Sequence, residues 1–261
     1  LIFIPYFLKF KKIDTELIEI FFVFLLFSFF VSSTYIFNDL KDINLDKQHP
    51  LKKYRPLASG ELKIGFGRYY GLFLFFGSLG LIFLLDQSTA FYFILYSFIT
   101  FLYTKYFKYI ALMDTFSISS MFLIRLFVGG SIANVKITLY LGTFIFFTSC
   151  LLSISKKISI LHSQNQLTES EFFKLIQNQD QKIPLIYLYY IFGILSIFAI
   201  SFWLFDLYNT VENAINIYFL LLTNIFYLIF LKLVLNNSIK GELEDFSSEL
   251  VGNKGLLIIS I

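Results

Sequence analysis

Residues 17–37 read Leu-Ile-Glu-Ile-Phe-Phe-Val-Phe-Leu-Leu-Phe-Ser-Phe-Phe-Val-Ser-Ser-Thr-Tyr-Ile-Phe, with Glu19 the one charge. A helix needs about 20 predominantly apolar residues to cross the hydrocarbon core of a bilayer. Inside that core every backbone N–H and C=O must find its partner within the segment, so such a run folds as a helix. Comparable runs recur at 66–85, 90–104, 109–133, 137–154, 184–205 and 214–235. The fold class they predict is an all-α, polytopic transmembrane bundle of about seven full spans. Residues 1–8 and the run opening at Gly255 read as two further spans cut short. The expected organisation is one domain, 1–261, truncated at both ends. Hydrophobic residues make up 57% of the chain and charged residues 15%, against about 25% charged in an ordinary soluble domain, which excludes that class. The single cysteine, Cys150, excludes an intrachain disulfide, and His49 and His162, the only histidines, leave zinc without a ligand set. Membrane lipid is an expected partner and nucleic acid is not.

The first apolar run ends in an abrupt change of character. Residues 38–60 read Asn-Asp-Leu-Lys-Asp-Ile-Asn-Leu-Asp-Lys-Gln-His-Pro-Leu-Lys-Lys-Tyr-Arg-Pro-Leu-Ala-Ser-Gly. Asp39, Asp42 and Asp46 fall at i, i+3 and i+7, which on a helix puts all three on one face. Such a row repels itself unless a cation sits among the carboxylates. Hard oxygen ligands of this kind suit Mg²⁺, which takes one or two carboxylates and leaves room for substrate phosphates. Lys41, Lys47, His49, Lys52, Lys53 and Arg55 lie close by, and Lys or Arg there is suited to phosphate oxygens that the metal leaves open. The same residues also suit a solvated loop whose Asn and Asp cap helix ends.

Charge sets an orientation. The side of the membrane that holds the aspartate block also holds most of the Lys and Arg, including Lys63, Arg68, Lys105, Lys108, Lys156, Lys157, Lys174 and Lys182. The opposite side holds Lys9, Lys11, Lys12 and Lys136. The positive-inside rule then puts the block in the cytoplasm. The two long connections expected, 38–65 and 155–183, share that side, and long loops on a rigid bundle concentrate function. Within the spans, Gly71, Gly77 and Gly80 are spaced to let a neighbouring helix approach. Asp114 and Arg125 read as intramembrane charges, a class that is functional by default. Asp114 reads equally as site or as structural hydrogen bonding, Arg125 more as a structural tie between helices, and at about 16 Å apart along their helix they are not a pair. Asp86, Trp203 and Asp206 read as interfacial residues.

The block 38–60 resembles the first aspartate-rich motif of the UbiA superfamily of intramembrane prenyltransferases. Its continuation, His49-Pro50, Lys52-Lys53 and Arg55 to Gly60, is similar to the decaprenyl-phosphate phosphoribosyltransferase branch. The resemblance is specific in 38–60, weaker in 105–130 and 153–157, and elsewhere one of layout. It implies two four-helix repeats, Mg²⁺ held by Asp39, Asp42 and Asp46, and a second aspartate-rich motif in the other long loop. That loop departs from the pattern: Ser153 to Gln166 contains Lys156, Lys157 and His162 but no acid until Glu169. Glu169, Glu171 and Asp180 are spaced more as a solvated helix than as a metal site.

The activity implied is transfer of 5-phosphoribosyl from phosphoribosyl diphosphate to a polyprenyl phosphate. Asp39, Asp42 and Asp46 would act at the diphosphate leaving group through Mg²⁺. Asn38 would orient a carboxylate or accept a sugar hydroxyl, and Lys52, Lys53 and Arg55 would grip donor phosphates. Lys105, Lys108, Lys156 and Lys157 would hold the lipid phosphate. The alternative within the family is prenyl transfer from prenyl diphosphate to an aromatic or other small acceptor, which accounts for the first motif but not for the missing second one. A cation-binding transport or assembly protein is the non-enzyme alternative, and it gives no role to the basic run after Asp46.

Overall fold

A computed structural model provides the structure, which describes residues 1–9, 15–48, 52–110, 112–162, 182–210 and 217–241. The helices are α1 (Ile4–Phe7), α2 (Thr15–Asp46), α3 (Pro56–Ser59), α4 (Ile64–Leu85), α5 (Gln87–Lys105), α6 (Met113–Ile132), α7 (Leu139–His162), α8 (Lys182–Thr210) and α9 (Ile217–Lys240). Two 3₁₀ turns, Lys52–Tyr54 and Phe107–Tyr109, complete the described elements, among which there is no strand. The all-α membrane bundle is the fold. Among the described residues six helices, α2, α4, α6, α7, α8 and α9, are long and apolar enough to cross a membrane. The seventh expected span, 90–104, is helical as α5, but Tyr92, Tyr96, Ser97, Thr100, Tyr103 and Thr104 dilute its apolar character. Its hydroxyls turn inward to the helix: Ser97 Oγ donates to Ile94 O and Thr100 Oγ1 to Tyr96 O, both at 2.8 Å. The expected run 1–8 contains only the one-turn α1, and the run from Gly255 lies outside the described residues.

The chain forms two compact units, Leu1–Ile137 and Thr138–Ile261. In the first, α2 packs chiefly on α4 and α5 on α6, with α2 also touching α5 and α6. Its centre is aromatic. Phe27 and Phe30 of α2 each lie 5.0 Å, centroid to centroid, from Phe93 of α5, and Phe30 stacks on Phe75 of α4 at 4.9 Å. Lipid is as apolar as these rings, so close packing rather than expulsion from water holds the helices together. The expectation for the α4 glycines is met at one position of three. A Cβ on Gly71 would stand 3.2 Å from the Phe37 ring, whereas Gly77 and Gly80 face open space.

In the second unit α7 packs on α8 and both pack on α9. Polar side chains connect them. The Tyr227 hydroxyl donates to Ser196 Oγ at 2.9 Å and shares a 2.8 Å hydrogen bond with Thr148, so one phenol joins all three helices. Tyr189 donates to the Leu231 carbonyl at 2.6 Å. Cys150 is buried and forms no disulfide.

Candidate active site

The helix that starts the membrane crossing also carries the aspartate row. α2 has 32 residues, about 48 Å at 1.5 Å per residue, against a hydrocarbon core of about 30 Å. Its C-terminal turns therefore extend past the apolar zone while staying helical, so the spacing of Asp39, Asp42 and Asp46 does become one face. Asp42 and Asp46 are buried and Asp39 is half-buried.

Two cations from other elements lie on that face. Pro56 begins α3, and the residue before a proline is pushed out of the helical region. Arg55 accordingly has φ −62°, ψ 142°, which ends the 3₁₀ turn and sends its guanidinium back to α2. Arg55 Nη1 donates to Asp39 Oδ1 at 2.7 Å and to Asp46 Oδ2 at 3.0 Å. α3 is seated by Leu57, which meets Gly67 of α4 so closely that a Cβ there would come within 2.9 Å of Leu57 Cδ2. Gly60 closes α3 at φ 87°, a left-handed conformation that glycine adopts without strain.

The second cation comes from the α5–α6 connection. Lys108, in the turn Phe107–Tyr109, donates through Nζ to Asp42 Oδ2. Lys41 lies two residues from Asp39, off the acidic face, and donates to the Thr104 carbonyl at the end of α5. The sequence offered Lys41 only as a charge among the acids; its register, two residues out of step with Asp39, was the signal that it serves a different neighbour. The connection itself holds Leu112 at φ 67°, an uncommon conformation for a branched residue.

The remaining expected residues divide. Asn38 Oδ1 is buried with no hydrogen-bond partner. Lys52 is half-buried, and Lys53 is exposed with Nζ 5.0 Å from the Tyr54 ring centre. Lys105 is exposed beside the rings of Phe101 and Tyr106. Lys156 and Lys157 belong to the second unit and lie on α7, which runs to His162 rather than ending at 154. His49, Pro50, Glu169, Glu171, Asp180, Lys11, Lys12 and Lys174 lie outside the described residues.

Of the two intramembrane charges, Asp114 is revised in depth, and Arg125 joins helices as expected. α6 begins at Met113, so Asp114 sits in its first turn rather than about a turn and a half inside the span expected from residue 109, and it accepts from Thr115 N at 2.7 Å. A carboxylate there complements the positive end of the helix dipole. Arg125 is inside α6, with its guanidinium 4.8 Å from the Phe122 ring and a 3.5 Å hydrogen bond to Tyr96 OH. It ties α6 to α5 and borders a cavity of about 390 Å³ with Phe24, Phe27, Val31 and residues Leu1–Phe3.

No three carboxylate, imidazole or thiol groups among the described residues converge on one point as a complete metal cage. The donor set still fits Mg²⁺, which binds through one or two carboxylates and completes its shell with water and phosphate. The orphaned Asn38 Oδ1 beside Asp39 adds a hard oxygen without a present partner.

These observations define a class: a multi-pass helical membrane protein with an acid-and-base cluster on the projecting end of a span. The chain belongs to the UbiA prenyltransferase family, whose model matches residues 10–241. It is similar to the decaprenyl-phosphate phosphoribosyltransferase of Corynebacterium glutamicum, with 28% identity over 152 residues, 57% of this chain and 46% of that protein. The protein of the same description from Mycobacterium tuberculosis is 27% identical over 139 residues, 53% of this chain and 46% of its own length. An uncharacterized protein of Sinorhizobium fredii is 32% identical over 156 residues, 59% of this chain and 30% of its own. The chain thus spans about a third to a half of the curated relatives it matches.

Proposed function

We propose that this protein is a membrane-embedded transferase that moves 5-phosphoribosyl from phosphoribosyl diphosphate to a polyprenyl phosphate in the presence of Mg²⁺. The observation that carries the reading is the interleaving of Asp39, Asp42 and Asp46 with Arg55 and Lys108 on one helix end. Metal ligands and phosphate ligands are thereby offered at a single place. The relatives described as phosphoribosyltransferases support the same choice. So does the absence of acids from Ser153 to Gln166, where a second metal-binding motif would fall.

In this reading Asp39, Asp42 and Asp46 hold Mg²⁺, which when bound supplies positive charge at the departing diphosphate. Arg55, Lys52 and Lys53 bind and orient donor phosphates. Asn38 Oδ1 accepts a ribose hydroxyl. Lys105 holds the phosphate of the lipid, Lys108, drawn to Asp42 on the acidic face, turns to the donor diphosphate instead, and Lys156 and Lys157 are candidates for the lipid phosphate on residue type. An oxygen of the lipid phosphate attacks the anomeric carbon of the ribose. The bond from that carbon to the diphosphate breaks, and diphosphate leaves with the electron pair. The nucleophile is already an anion, so no general base is required. The excess of Lys and Arg on this side supports a cytoplasmic face for the site, in a bacterial inner membrane.

The test uses the full-length protein in membranes with Mg²⁺, polyprenyl phosphate and labelled phosphoribosyl diphosphate. Label should enter the lipid phase, and Asp39→Asn should reduce the rate roughly a hundredfold or more. Absence of lipid label, with prenyl diphosphate consumed once an aromatic acceptor is supplied, would replace this reading by prenyl transfer.

A further inference from the structure

We propose that Arg55 and Lys108 are resident counter-ions: they keep the metal's place on the aspartate face and pass to the diphosphate when the site is loaded. Metal and diphosphate then each raise the other's affinity. The proposal rests on the reading that this cluster binds a divalent cation and a diphosphate, whichever group is transferred.

The argument begins with the oxygen atoms. Arg55 Nη1 occupies Asp39 Oδ1 and Asp46 Oδ2 together, at 2.7 and 3.0 Å, and Lys108 Nζ occupies Asp42 Oδ2. Every acid of the row therefore has an oxygen committed to a protein cation. A metal that takes those oxygens must displace the cation or share it at a repulsive distance. Displacement alone takes the Arg55 guanidinium from both of its carboxylates and Lys108 from Asp42 in a partly desolvated place, which is unfavourable. A diphosphate alone meets the reverse difficulty, because drawing the cations away strands buried carboxylates. Bound together, the two ligands exchange partners with nothing left unpaired: metal to carboxylates, Arg55 and Lys108 to phosphate oxygens. Coupling of this kind is reciprocal by thermodynamic necessity.

Placement favours the exchange. The acids are fixed on a long helix, with side chains of Asp42 and Asp46 9% and 7% exposed, while Arg55 is 40% and Lys108 26% exposed. Both cations come from short connecting elements, the residue before α3 and the turn Phe107–Tyr109. They swing outward without disturbing α2. Lys41, bonded to the Thr104 carbonyl, anchors α2 to α5 without using any acid, so the frame survives departure of the ions.

The test uses the full-length protein in lipid nanodiscs, with Mn²⁺ as metal probe and radiolabelled inorganic diphosphate as anion probe. Mn²⁺ binding is followed alone by electron paramagnetic resonance, and diphosphate retention is measured at saturating Mn²⁺. Arg55→Gln removes the competitor, so Mn²⁺ alone should bind about five- to tenfold more tightly. Diphosphate should bind at least about tenfold more weakly, and Arg55→Lys should restore part of that loss. Lys108→Gln should shift both quantities the same way. A strut would behave differently: both affinities would fall, or Mn²⁺ affinity would stay unchanged, and either outcome overturns the proposal. If neither glutamine variant folds, the ions are structural and the proposal is likewise overturned. Neither probe contains ribose or prenyl. Opposed shifts here, with no lipid label in the transfer assay, would therefore change the donor and leave the coupling standing.

Discussion

Asp86 lies at the far end of α4 from the aspartate cluster, and it illustrates what a carboxylate does when its partners are local. It is the N-cap of α5 and accepts from Ser88 N at 3.3 Å and Thr89 N at 2.9 Å, with both hydroxyls donating as well. Ser131, at the end of α6, adds a 3.4 Å hydrogen bond. Burial pushes the Asp86 carboxyl up, but the hydrogen bonds from Thr89 and Ser88 outweigh it, and its pKa falls below the ordinary 3.8. A depressed folded-state pKa means a contribution that is complete above the unfolded value and lost as pH falls through the folded one. Asp86→Ala should lower stability by about 1 kcal/mol at neutral pH, the usual effect of losing a cap. The gap to the unsubstituted protein should narrow below about pH 4. Thermal melts of both proteins in detergent across pH 3–7 measure it, and a gap that stays constant with pH would contradict the assignment.

Elements in this protein are decided by where backbones meet, and there the sequence was only partly readable. A Cβ added to Gly129 of α6 would stand 2.0 Å from the Ile2 carbonyl oxygen, a clash with backbone that no side-chain rotation relieves. Gly77 of α4 has nothing within 4 Å of the same position. Gly129→Ala should thus displace residues 1–3 and lower the melting temperature. Gly77→Ala should be neutral, or stabilising by up to about 0.5–1 kcal/mol through helix propensity. Equal effects of the two substitutions in thermal melts would contradict this contrast. In the sequence these glycines look alike, because each is a small residue in an apolar run and only the neighbour tells them apart. The aspartate row was legible for the opposite reason: i, i+3, i+7 spacing fixes a face within one helix, whatever the tertiary structure does. What that row pairs with was not legible. Lys108 is 66 positions from Asp42, and its arrival depends on how the α5–α6 connection returns to α2. Asp114 was misread in depth for a related reason. Residues 109 to 112 read as the start of an apolar span, but Leu112 at φ 67° precedes a helix that begins only at Met113.

At the scale of the whole molecule, the side on which the cluster stands decides what it can act on. A polyanionic donor such as phosphoribosyl diphosphate does not cross a bilayer unaided, so the proposed reaction requires the end of α2 to face the cytoplasm. The distribution of Lys and Arg argues for that orientation, but a phosphate site gathers cations for its own reasons, and the two causes are separated by labelling. Gln48 lies two residues past the end of α2 and is exposed, and Gln87 opens α5 at the other end of α4 and is also exposed. The native Cys150 is fully buried and should not react. In intact cells a membrane-impermeant maleimide should label Gln87→Cys and spare Gln48→Cys, and permeabilisation should make both reactive. The converse pattern would turn the aspartate face outward, away from any cytosolic diphosphate. The same acids, arginine and lysine would then need a substrate delivered from the other side, and phosphoribosyl transfer would no longer describe them.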